Sequence, residues 1–351
     1  MLNVFNLCLR LFLVIAVFVV IIAVPFAHAQ IEIQDSHGKY RFEKPPERVV
    51  VLNWALGEQM LELGETPVGF ADIEGYQSHT SIMSIPEGVV DVGERLSPKL
   101  NKIRALKPDV ILIGYSQRSL LRPLSNIATV IYFKNFGKRY NNHEKSVDRF
   151  WEMAKLFDKT QLAEVKLAQR DERFSQLREE LHTAYKAKSL PLPTVQFIVP
   201  EALDASKRSS VLLFGENSMP FYAAQELGLS VLAAQKNDQF GMARLSKKEY
   251  SKLSEVQSGT LCKFYFSSYA VEGSTNAVEG STNNAVEDSN SYVEDSIDYV
   301  EDSTDNGLSS KRVCSQDLSY QNGFGGVMSV LYLAESISQA LLATMADKPA
   351  N

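Results

Sequence analysis

The stretch Arg48-Val49-Val50-Val51-Leu52, followed by Glu58-Gln59-Met60-Leu61-Glu62-Leu63 and then Gly64, decides the fold class. A short, unbroken run of β-branched residues reads as a strand buried on both faces. The run from Glu58 to Leu63 reads as a helix that Gly64 stops. The same alternation continues outward. Val68-Gly69-Phe70-Ala71 is a second strand, Asp109 to Ile113 a third, and Ala128 to Phe133 a fourth. A helix over Leu100 to Leu106 leads into the third, and a short extended stretch, Tyr40-Arg41-Phe42, precedes them all. Apolar strands alternating with short helices predict a mostly parallel sheet covered on both faces.

From Glu144 to Lys188 the character changes. The segment has no Pro or Gly, is rich in Glu, Lys, Gln, Leu and Ala, and keeps Val165, Leu167, Phe174, Leu177 and Leu181 at helical spacing. One or two long helices are expected there. Strands follow over Thr194 to Val199, Val211 to Phe214 and Leu261 to Phe266, and a helix over Val327 to Leu342 ends the pattern. Two similar α/β lobes, residues 30–141 and 190–351, are thus joined by a stiff helical segment over 142–189. This is a clamshell with little hinge freedom, and ligands of such folds lie in the cleft.

The first 29 residues read as an export signal. Arg10 precedes an apolar run from Leu11 to Val24, and Ala27-His28-Ala29 follows it. A basic start, an apolar middle and a small-x-small ending mark a cleavable segment. Cleavage near Ala29 places the mature chain in the periplasm of a Gram-negative cell. Cys262 and Cys314 then remain, either as a disulfide or as two buried thiols.

From Ala270 to Asn306 a seven-residue unit repeats five times, as AVEGSTN, AVEGSTN, AVEDSNS, YVEDSID and YVEDSTD. One valine per unit makes no a/d seam, so this is no coiled coil. Ten acidic residues and no basic one fall in 270–306. Such composition cannot offset its ordering entropy and predicts a solvated insert in the second lobe. The whole chain of 351 residues carries a net charge of −6, and most of the excess acid is in this segment. The remainder is close to neutral, which disfavours nucleic acid as a partner.

The motifs of catalysis are missing. Histidines 37, 79, 143 and 182 are scattered, with no H-E-x-x-H and no C-x-x-C. Gly114-Tyr115-Ser116-Gln117-Arg118 lacks the final glycine of a nucleophile elbow. Gly323-Phe324-Gly325-Gly326 is not a dinucleotide loop. An exported two-lobed chain of this kind reads as a binder and not an enzyme.

Val49-Val50-Val51-Leu52-Asn53-Trp54, the helix to Gly64, Pro67-Val68-Gly69, Val90-Asp91-Val92-Gly93 and Leu106-Lys107-Pro108-Asp109 occur in one order and spacing. In this the chain resembles the iron–siderophore periplasmic binding proteins, and most of all their ferric hydroxamate branch. The resemblance implies a class III periplasmic binding protein, with two Rossmann-like lobes and a long rigid connecting helix. It implies a monomer with no cofactor, whose ligand is a ferric siderophore and whose partners are an inner-membrane ABC permease and its ATPase. Iron would stay within the chelator, with no protein metal ligand. Arg95 stands where the branch grips hydroxamate oxygens. Tyr115 and Gln117 stand near its supporting tyrosine, and Trp54 at a cleft-wall tryptophan, a place that equally suits core packing. His79 falls at an aromatic cleft position, Phe240 replaces a tryptophan, and Tyr320, Gln321 and Phe324 precede the last helix where the branch has Trp and Tyr. The family's docking glutamate on the first lobe is Asn101 here, with Glu216 and Glu226 as counterparts on the second. Haem or cobalamin would suit the same fold, and an interaction protein working through the acidic repeat is a further alternative.

Overall fold

The computed structural model describes residues 30–79, 83–134, 136, 141–199, 210–234, 237–255, 260–266, 312–318 and 326–346. The leader, the repeat, and Tyr320, Gln321 and Phe324 lie outside the described residues, as do the side chains of His79 and Cys314.

The chain enters through an antiparallel hairpin of β1 (Ile31–Gln34) and β2 (Lys39–Phe42), longer than the stretch read from sequence. Its turn is fixed by Asp35, whose Oδ1 accepts from the backbone N–H groups of His37 and Gly38 while Oδ2 accepts from Tyr132. Five parallel strands follow: β3 (Val49–Val51), β4 (Gly69–Phe70), β5 (Val90–Asp91), β6 (Val110–Ile113) and β7 (Thr129–Tyr132). Their order across the sheet is β5-β4-β3-β6-β7. All of β3 and β6 is buried, as continuous apolar runs covered on both faces require.

Helix α1 (Trp54–Glu62) starts four residues earlier than the sequence pattern indicates. Asn53 caps it, its side chain accepting from Leu56 N–H, and Gly64 past its end takes φ 78°. The early turn is masked in the sequence by Gly57. That glycine is required by packing, because a Cβ there would fall 2.2 Å from the Phe70 ring. Every residue of α1 is buried, so no polar face marks its start. Three short helices complete this half: α2 (Ile73–His79), α3 (Leu100–Ala105) and α4 (Leu121–Ser125), the last preceded by a 3₁₀ turn at Tyr115–Leu120.

The connection is two helices, α5 (Asn142–Leu156) and α6 (Thr160–Ala187), broken where Asp158 adopts φ 55°. At 28 residues α6 is about 42 Å long. The second half holds β8 (Thr194–Val199), β9 (Ser210–Phe214), α7 (Met219–Glu226), β10 (Ser230–Val231), β11 (Met242–Ser246), α8 (Lys247–Glu255), β12 (Thr260–Phe266), β13 (Arg312–Leu318) and α9 (Ser329–Ala346).

The two α/β halves differ in one respect. The second sheet, in order β11-β9-β8-β12-β13 with β10 also on β8, is mixed, and β9 runs against both its neighbours. Residues 200–209 between β8 and β9 are fewer than the dozen or more that a parallel crossover takes. Among the described residues no helix is long and apolar enough to cross a membrane.

One buried cluster runs through both halves, from Val49, Trp54 and Phe70 through Phe150 and Phe174 to Phe197, Phe264 and Ile337. Smaller clusters cover the outer faces of the first sheet, around Ile111, and of the second, around Leu213. A core that is continuous through the connecting helices resists opening, because close-packed interiors have few alternative arrangements.

Candidate functional site: an arginine at the edge of the first sheet

In the first sheet the chain runs outward from β3 in one direction and from β6 in the other, so strand order reverses between them. Ligands of open α/β sheets sit beyond the carboxyl ends of strands at such a reversal. Here those ends are Asn53-Trp54 after β3 and Gly114-Tyr115 after β6. The two are tied together by Gln117, whose Oε1 accepts from Gly114 N–H at 3.1 Å and from Asn53 Nδ2 at 3.4 Å.

The next two strand ends, after β4 and β5, are locked by one carboxylate. Asp91 accepts from Gly93 N–H at 2.6 Å and from Ile73 N–H at 2.9 Å. Gly93 takes φ 91° and Asp72 φ 55°, conformations that a β-branched residue would not hold. These turns deliver Arg95 and Asp72 to one place. Arg95 Nε lies 3.8 Å from Asp72 Oδ2, and its guanidinium carbon lies 3.6 Å from the centroid of the Trp54 ring. The Arg95 side chain is 15% exposed. A guanidinium on an indole face, largely out of water, is held by about 2 kcal/mol. Trp54 is 1% exposed, donates its indole N–H to Ala71 O at 3.0 Å and meets Tyr76 edge-on at 5.8 Å.

The sequence-derived residues therefore divide. Arg95 and the half-buried Tyr115 are at the strand-end edge. Trp54 is a core residue lying beneath Arg95, not a wall a ligand meets first. Gln117 is fully buried and braces the switch point instead of lining a cleft. His79 is the last residue of α2. Phe240 is half-buried in a separate loop, its ring 5.1 Å from Phe136, which follows β7. That loop is built on Asp238, which accepts from the N–H groups of Phe240 and Met242. Asn142 at the start of α5 donates its side-chain amide to Asn217 O and Gln239 O, anchoring the loop to the connection.

Sequence reasoning missed Asp91 as the organiser of the edge and Phe136 as the partner of Phe240. The Asp-Val-Gly block carried the first signal, since an Asp two residues before a glycine can accept from that glycine's N–H. Phe136 left none. His143 is buried and stacked 3.5 Å from Tyr222. Burial, reinforced by Arg170, depresses its pKa to about 3, so it stands neutral and away from the strand-end edge. Among the described residues no group of three or more His, Cys, Asp or Glu is placed to hold a metal ion. The edge can offer planar donors to an oxygen-rich rim, with aromatic surface nearby.

Comparison with known proteins agrees with this architecture. The family model described as Periplasmic binding protein matches residues 49–255. The chain belongs to that family. Among solved periplasmic binding proteins, the siderophore-binding protein FhuD from Vibrio cholerae, crystallised with Fe3+–Desferal bound, is similar over 85% of this chain and 98% of its own, at 33% identity and a TM-score of 0.63. The Fe(3+)-citrate-binding protein YfmC of Bacillus subtilis is 31% identical over 150 residues, 42% of this chain and 47% of that protein. The iron(3+)-hydroxamate-binding protein FhuD of Escherichia coli is 28% identical over 184 residues, 52% of this chain and 58% of that protein. The chain spans about half the length of the curated relatives it matches.

Proposed function

We propose that this periplasmic binding protein captures a ferric siderophore, of hydroxamate type, and delivers it to an inner-membrane ABC importer. The observation that carries the reading is Arg95, held on the Trp54 ring at the carboxyl edge of a switch-point sheet. A permanently charged, planar donor set suits oxygens crowded around a metal that is already fully ligated. Tyr115, Phe240, His79 and the segment with Tyr320, Gln321 and Phe324 cover the organic shell of the chelate. Iron keeps its chelator ligands throughout, so the protein binds and releases without a chemical step and needs no cofactor. The shared core keeps both lobes in one relation, and the permease, driven by its ATPase, recognises them together.

The protein acts as a monomer in the periplasm after its leader is removed near Ala29. Cys262 is disulfide-bonded, and its register partner across β12 and β13 is Cys314. On this reading Cys314, the cysteine that remains beside Cys262 once the leader with Cys8 is removed, is its partner, and the bridge pins both ends of the connection that contains the repeat.

Isothermal titration calorimetry with ferric hydroxamate, ferric citrate, haem and cobalamin tests the reading. Saturable binding is expected for the ferric hydroxamate and is absent for haem and cobalamin. Binding of either of the latter in preference to every ferric chelate would refute it.

A further inference from the structure

Three of the nine buried residues of α1 are polar and face the other half of the molecule. Glu58 is 2% exposed, Gln59 1% and Glu62 7%, and they adjoin Gly326, Val327, Met328 and Ser329 at a closed junction. Gly326 to Met328 form the turn into α9 and Ser329 is its first residue, where a helix presents unsatisfied N–H groups and the positive end of its dipole. Ser329 Oγ donates to Glu58 Oε2 at 2.7 Å, across 271 positions of sequence. Gly326 allows the approach, because a Cβ there would lie 2.8 Å from the same carboxylate oxygen. The connecting helix closes the junction from the side. Lys166 pairs with Glu62 at 2.9 Å, and Arg170, 5% exposed, reaches Val327 O at 3.5 Å.

An apolar residue at position 58 would suit so buried a helix better, since a carboxylate loses several kcal/mol of hydration on burial. What the carboxylate adds is a fixed geometry between two elements. On α1, Trp54 and Glu58 are one turn apart, so one short helix carries both the support of Arg95 and the contact to α9. Tyr76 packs between them. Its ring meets Trp54, and burial followed by the Glu58 charge pushes its phenol far above the ordinary range.

We infer that Glu58 is a positioning residue for ligand binding: it docks the turn into α9 against the helix that supports Arg95, and so fixes that helix, and Arg95 with it, relative to the second half. This rests on the proposed ligand site and adds the contact that holds its arginine in place.

The test uses the full mature chain and the variants Glu58→Ala, Glu58→Gln, Ser329→Ala and the double variant Glu58→Ala/Ser329→Ala. Amide exchange of the ligand-free protein over residues 327–331, the affinity for a ferric hydroxamate, and the urea midpoint are measured for each. Glu58→Ala is expected to speed exchange there and to weaken affinity by about tenfold, the size of one charge-assisted hydrogen bond. Glu58→Gln keeps an acceptor for Ser329 and recovers most of both losses. The double variant is no worse than Glu58→Ala alone, because the two side chains act as one contact. A lower urea midpoint with unchanged affinity and unchanged exchange would overturn the inference, leaving Glu58 a stability residue. If Glu58→Ala does not fold, Ser329→Ala decides: unchanged exchange and affinity overturn the inference, and losses in both uphold it. Failure of the wild-type chain to bind any ferric chelate would remove the ligand reading and with it the positioning role, while the exchange arm would still show whether the junction exists.

Discussion

The carboxyl edge of the first sheet and the face of the second are built on different principles. At the first edge, side chains hold backbone: Asp91 fixes the turns after β4 and β5, Gln117 joins the ends of β3 and β6, and Asn53 caps α1. Arg95 is placed by these short, local ties. In the second half the corresponding surface depends on Phe240 against Phe136, on a loop anchored to α5, and on a mixed sheet whose β12–β13 connection contains the repeat. A charged grip needs angular precision, whereas an apolar cover tolerates displacement. On the proposed reading, the first edge sets specificity and the second adds contact area.

The largest expected effect concerns the junction at α5, on the side of the second half. His143 stacks on Tyr222 in its neutral form, with its pKa depressed to about 3 by burial and by Arg170. In the unfolded chain it titrates near the ordinary value, so the unfolded state gains a proton first as pH falls. Stability is complete above about pH 6.5 and is lost progressively toward pH 3, by on the order of a few kcal/mol. Urea midpoints across that range should fall more steeply for wild type than for His143→Gln. Parallel slopes would show that His143 is not the titrating group.

Next in size is the grip. Arg95→Ala should weaken ferric hydroxamate binding roughly 10–100-fold, and Arg95→Lys should restore only part of it, since a point charge does not replace the planar fork. Asp91→Ala acts through geometry. It should cost about 2 kcal/mol of stability in urea denaturation and also lower affinity, whereas loss of stability alone would mean that the turns do not position Arg95. Phe240→Ala should weaken binding by only about threefold to tenfold with little change in ligand selectivity. A change in selectivity would erase the contrast between the two surfaces. Deleting 270–306 while retaining both cysteines should leave affinity within about twofold of wild type, as expected for a segment that buries little apolar surface.

Much of this was legible in sequence where one residue type has one cheap solution. The apolar runs at Val49–Val51 and Val110–Ile113 announced a buried parallel sheet, and the Gly- and Pro-free stretch after Glu144 announced the connecting helices. Arg95 was found only through the resemblance to the ferric hydroxamate branch, which places an arginine shortly after the Asp-Val-Gly block. Burial direction was not legible. Trp54 and Gln117 lie beside the right strand ends, yet both point inward, and only the three-dimensional packing of α1 and the 3₁₀ turn decides that. The reversed strand β9 was hidden because strand runs carry no direction of their own. The Glu58–Ser329 contact, between residues 271 positions apart, leaves no local trace at all.

The sequence contains two tryptophans, Trp54 and Trp151, so a Trp151→Phe variant reports on Trp54 alone. Titrating that variant with a ferric hydroxamate and with its iron-free form, and following emission, tests most directly whether the ligand arrives at the guanidinium on the Trp54 ring. The account predicts a saturable change in Trp54 emission with the ferric chelate, a much weaker one with the iron-free form, and loss of the response when Arg95→Ala is added. Tight calorimetric binding with no change in Trp54 emission, or an unaltered response without Arg95, would place the ligand elsewhere and contradict it.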